Sequence, residues 1–153
     1  MAGTLGVVTG VGILRSGITL LARIRGQDGR LITQASLSSI TFTVRDVTTS
    51  TTITSAQALT ISSVIFDSLQ QSDPRWDKDD ADNLGSDGSH GYNFRATIPA
   101  SNFTAVDVDS DPVPPAPDRV TAHRFQCDVK FTPASGEAFF QPFSFTGIPV
   151  YGT

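Results

Sequence analysis

Arg124-Phe125-Gln126-Cys127-Asp128-Val129-Lys130-Phe131 alternates without a break: Phe125, Cys127, Val129 and Phe131 fall on one side, with Arg124, Gln126, Asp128 and Lys130 on the other. A period of two marks a strand with one face in a core and the other in water. Thr132-Pro133-Ala134-Ser135-Gly136 supplies turn residues, and the return run places Phe139, Phe143 and Phe145 on one face, Gln141 being the exception. A hairpin with so aromatic a face must cover it with a second sheet.

Upstream, the same period recurs. Leu20, Ala22 and Ile24 alternate with Leu21, Arg23 and Arg25, and Gly26-Gln27-Asp28-Gly29 closes that strand with turn chemistry. Ile40, Phe42 and Val44 point inward against Thr41, Thr43 and Arg45, and the Thr-rich run Thr48 to Thr54 reads as an edge hairpin. Leu59 to Phe66 is ambiguous in period, with Val64-Ile65-Phe66 favouring a strand and a helical turn compatible at Asp67 to Gln71. Tyr92, Phe94, Ala96 and Ile98 form a further strand that Pro99 ends. No helix of ordinary length is demanded. The expected fold is all-β: a single antiparallel β-sandwich, immunoglobulin-like, formed by residues 19–153 and preceded by an extended N-terminal arm, residues 1–18. Two irregular stretches interrupt it, an acidic loop at 67–91 and a Pro/Asp loop at 107–118.

Composition narrows the function. At 153 residues the chain fits one domain with an ordinary core. Its acids are Asp apart from Glu137, and Asp serves turns better than helices. A net charge of −4 argues against a nucleic-acid partner, which would need a basic face. Cys127 stands alone, so no internal disulfide forms and it reads as a small buried residue. Leu5 to Leu14 is too short to span a bilayer, and it lacks the preceding positive charge of a signal segment. Charge is absent from Met1 to Leu14 and from Ala138 to Thr153. Termini ordinarily meet water, so uncharged ends imply that both lie against something. The core explains the second stretch through its aromatic strand. For the first, Leu5, Val7, Val8, Val11, Ile13 and Leu14 are the candidate partner-binding residues.

Chemistry-bearing constellations are sparse. Asp77 and Asp79, with Asp107 and Asp109, offer hard oxygen ligands from two loops, and Ca²⁺ is the cofactor such ligands fit. Pro112 and the lack of a Glu at the twelfth place break the EF-hand pattern, so a solvated acidic loop is the preferred reading, with no cofactor required. Trp76, the only Trp, either joins Tyr92 or Phe94 in a sugar platform or anchors its loop to the sandwich; anchoring is preferred. His90 and His123 have no metal-ligand spacing with each other or with Cys127, whose parity with the phenylalanines also removes it as a nucleophile. No nucleophile elbow or phosphate loop is present, so no catalytic residue is assigned and no enzymatic activity is expected.

The phrases Leu20-Leu21-Ala22-Arg23-Ile24-Arg25-Gly26-Gln27-Asp28-Gly29, Ile40-Thr41-Phe42-Thr43-Val44-Arg45-Asp46, Ile65-Phe66-Asp67-Ser68-Leu69, Gly91-Tyr92-Asn93-Phe94-Arg95 and Val129 to Glu137 together resemble small structural proteins of tailed bacteriophages. Their strand-and-turn order is also similar to the N-terminal immunoglobulin-like domain of phage upper baseplate proteins. The resemblance spans residues 19 to 148 and carries no site residues. It implies a virion component, assembled in the host cytoplasm: foremost a capsid cement or decoration subunit bound to the major capsid protein or other virion subunits, as a homo-oligomer within the assembly. The alternatives are a neck, tail or baseplate adaptor, and a carbohydrate-binding sandwich using Trp76 and the Asp loop.

Overall fold

The computed structural model describes residues 3–4, 8–13, 17–76, 90–102 and 123–148. It is all-β apart from a few short helical turns, and its strands form two sheets. The larger sheet holds β1 (Gly3–Thr4), β2 (Val8–Ile13), β4 (Leu37–Asp46), β5 (Thr51–Leu59), β8 (His123–Pro133) and β9 (Phe139–Ile148). In space β1 and β2 lie on β9, followed by β8, β4 and β5. The smaller sheet places β7 (Tyr92–Ile98) between β3 (Ile18–Ala22) and β6 (Ile65–Gln70). All pairings are antiparallel except those of β1 and β2, which run parallel to β9.

Alternation builds the core as the sequence implies. Leu20 and Ala22, Ile40, Phe42 and Val44, Phe94, Ala96 and Ile98, and Phe125, Cys127, Val129 and Phe131 join Phe139, Phe143 and Phe145 in one buried cluster. Phe94 ties the sheets together, its ring 5.4 Å from Phe131 edge-on and 6.1 Å from Phe143. Phe125 stacks on Phe145 at 5.5 Å and Phe131 on Phe139 at 5.3 Å. Each such ring contributes about 1.5–3 kcal/mol by leaving water, so the aromatic hairpin β8–β9 dominates cohesion. Gln141 shares the inward parity of the phenylalanines and is buried, its Nε2 donating to the Pro142 carbonyl at 3.0 Å.

Three local departures have identifiable causes. Leu59 to Phe66 divides into a helical turn, α1 (Ile61–Val64), and the start of β6. The Asp67 carboxylate accepts the Gln34 N–H at 2.7 Å and the Gln34 amide donates to the Ile65 carbonyl at 3.0 Å. These contacts hold Ile65–Gln70 extended, so no helical turn forms at Asp67 to Gln71 and the acidic loop starts after Gln70 rather than at Asp67. Next, β5 is bulged: its register with β4 shifts twice, and Ala56 sits at φ 49° with its N–H donated to Thr43 Oγ1 at 3.1 Å. Lastly, the arm expected over residues 1–18 is not separate where it is described, since β1 and β2 extend the chain's own larger sheet.

Asn93 closes the structure on the other side. Although outward by parity, it is fully buried, because residues 24–32 fold over it. Its Oδ1 accepts the Ile24 N–H at 2.6 Å, while Nδ2 donates to the carbonyls of Ile24 at 3.0 Å and Ile32 at 3.1 Å. One amide side chain thereby satisfies the backbone groups left over by a loop that otherwise pairs with itself, through the Arg25–Leu31 bridge and the Ile32 N–H bonded to the Ile24 carbonyl at 3.2 Å. Beside it Gly91 is obligatory: at φ 111°, an added Cβ would stand 2.5 Å from the Gln70 carbonyl oxygen.

Candidate functional site

The margin of the larger sheet is the feature with a functional reading. β9 is flanked by β8 on one side and the arm strands on the other. Gly3 and Thr4 register with Phe139 and Phe140, then Val8 through Ile13 register with Phe143 through Ile148 without a shift. The register offset differs by one between the two ladders, and on β9 Gln141 and Pro142 lie between them. Pro142 has no N–H and cannot sustain a ladder on both sides of an interior strand.

Among the described strands β2 pairs with β9 alone and so stands at the end of the sheet they form. Natural edges are protected by charge, proline or bulges, because an open row of N–H and C=O groups recruits further strands. β2 has none of the three: residues 1–14 contain no Lys, Arg, Asp, Glu or Pro, and its ladder is unbroken. The opposite edge, β5, also lacks charge but carries its bulge. Of the candidate arm residues, Val8, Val11 and Ile13 lie in β2, whereas Leu5, Val7 and Leu14 lie outside the described residues.

At the foot of the acidic loop, the Asp73–Trp76 turn docks on the outer side of the smaller sheet. Arg75 grips the Asp73 carboxylate with both ends of its guanidinium, Nε at 2.8 Å and Nη2 at 2.7 Å, and reaches Thr19 Oγ1 with Nη1 at 2.7 Å. Arg95 adds an ion pair to the same carboxylate at 3.2 Å. Hydrogen bonding from Arg75, with the positive charge of both arginines, holds the Asp73 pKa down at about 2. The half-buried Trp76 ring lies 5.5 Å from Tyr92, which meets Phe66 edge-on at 5.9 Å. Trp76 thus packs on Tyr92 of β7, the contact that both the anchoring and the platform readings of the sequence invoke. Asp77, Asp79, Asp107 and Asp109 lie outside the described residues, among which no group of three or more His, Cys, Asp or Glu is gathered for a metal.

A groove of about 650 Å³ opens between the Gly26–Arg30 turn and the Pro133–Glu137 turn, floored by Ile32, Leu37 and Phe139. Burial pushes the Cys127 thiol up to about 12, which leaves it protonated and inert inside the core. Sequence reasoning missed Asn93 and the Asp73 clamp. Asn93 had a legible signal, a polar residue within an otherwise alternating strand; the clamp depends on a fold-level meeting of Arg75 and Arg95 and had none. Compared with known proteins, the chain matches no family model, no curated protein and no solved structure.

Proposed function

We propose that this chain is a non-enzymatic, immunoglobulin-like structural subunit of a tailed-phage virion, serving as a capsid cement or decoration protein on the major capsid protein. The fold part is supported by strand order. In the immunoglobulin plan, one sheet contains B, E and D and the other G, F and C, extended by C′ in variable-type domains; β3-β7-β6 and β9-β8-β4-β5 follow these orders. Cys127 also sits buried on the strand equivalent to F, with Phe125 two residues before it, although β3 has no Cys to pair with it and β4 has no Trp.

The assembly part is carried by one observation, the uncharged and unbulged β2 at the end of the larger sheet. A protein that functions alone guards such an edge; a subunit leaves it available for a neighbour. The sequence resemblance to phage structural proteins supplies the setting. A variant lacking residues 1–14 is expected to retain its two-sheet circular-dichroism spectrum yet fail to co-sediment with phage particles. Undiminished co-sedimentation would remove the arm from the mechanism. Immunogold labelling across the head supports cement, and labelling confined to a vertex or tail reassigns the subunit to an adaptor.

A further inference from the structure

We propose that the neighbour at β2 is a second copy of this chain, joined by antiparallel β2–β2 pairing about a two-fold axis so that two larger sheets become one. The inference rests on reading the chain as an assembly subunit and names the partner at that margin.

Like-charge repulsion is the first obstacle to self-association for a chain of net charge −4. The β2 margin is where that obstacle is smallest. Residues 1–14 and 138–153 contain no charge, so the two outermost strand positions of the sheet, the arm and β9, are both neutral. The first charged strand is β8, with Arg124, Asp128 and Lys130. Across a two-fold joint the two β8 strands stand five strand spacings apart, roughly 24 Å. That is about three Debye lengths at physiological salt.

Other edges do not match this. Pairing through β5 would bring β4, with Arg45 and Asp46, within three spacings, roughly 14 Å. The bulge at Ala56 also offsets the groups that β5 would present. In the smaller sheet, the edge strand β6 itself carries Asp67.

The glycines of β2 point the same way. A glycine inside a strand ordinarily marks a bulge, a bend or the close approach of another backbone. Gly10 and Gly12 lie in a ladder of six consecutive register partners, which excludes a bulge there. Close approach of a second backbone gives these residues a use that a solitary edge does not. An antiparallel partner also suits the position, because the same strand reversed on itself offers donors to acceptors along its whole length.

The test is sedimentation equilibrium of the full chain over a wide concentration range at physiological salt, with paired charge variants. Thr9 and Val11 are chosen because their register partners, Ser144 and Thr146, belong to the outward row of β9. The wild type is expected to dimerise. Thr9→Asp with Val11→Asp, and separately Thr9→Lys with Val11→Lys, should each weaken the dimer by about tenfold or more. An equimolar mixture of the two variants should restore it, a rescue that misfolded protein could not give. A wild type monomeric throughout, a dimer indifferent to both variants, or a mixture no tighter than its parts would each overturn the proposal. A monomer that still binds particles through residues 1–14 would discard self-pairing and keep the assembly role; a dimer that ignores particles would do the reverse.

Discussion

Asn93 is the single side chain on which most local structure depends. Its amide completes the N–H of Ile24 and the carbonyl of Ile32, and both are buried. Asn93→Ala orphans these two groups, each at about 1–3 kcal/mol, so a loss of about 2–5 kcal/mol is expected. It should appear as a lower urea midpoint with an unchanged slope. Asp73 gives a different kind of prediction, in pH. Its folded pKa of about 2 lies below the ordinary 3.8, so the ionised form is favoured by folding. The resulting stabilisation is fully present above the ordinary pKa and is lost as pH falls through about 2. Trp76, the only Trp, reports the docked turn. Its emission should hold from neutrality to about pH 4 and shift to the red on further acidification. Asp73→Asn should show the shifted emission already at neutral pH.

Strands with one wet face were legible from alternation, because there the pleat writes itself into the residue order. Tyr92–Ile98 is observed with the bounds its pattern implies, and Ile40–Asp46 lies within the longer Leu37–Asp46. Leu59 to Phe66 was ambiguous because α1 and the start of β6 meet there, each too short to set a period. The bulge of β5 was hidden for another reason: Ala56 adopts a left-handed φ that its identity does not advertise. That conformation costs an L-residue about 1 kcal/mol. Ala56→Gly is therefore expected to raise stability by about 0.5–1 kcal/mol in chemical denaturation, despite the greater freedom of glycine when unfolded. A fall in stability would mean that the bulge is held by more than backbone preference.

At the scale of the whole molecule, the sheet margin could be read from sequence only as a deficit of charge. Absence of charge announces burial without naming the partner, so Met1 to Leu14 pointed to a neighbour although its described strands pair with the chain's own β9. The parallel ladder on β9 has no local signal, since it depends on residues more than a hundred apart in sequence. Of the site, a contact between Trp76 and Tyr92 was legible, while the clamp on Asp73 required the fold to bring β7 beneath the loop. The same ladder also orders events in time. β2 is made early and β9 late, and a ribosome adding about 5–20 residues per second leaves the arm waiting roughly 7–26 s for its partner strand. During that interval the uncharged arm has no β9 to pair with, so the larger sheet closes at this margin only when β9 arrives to join β2.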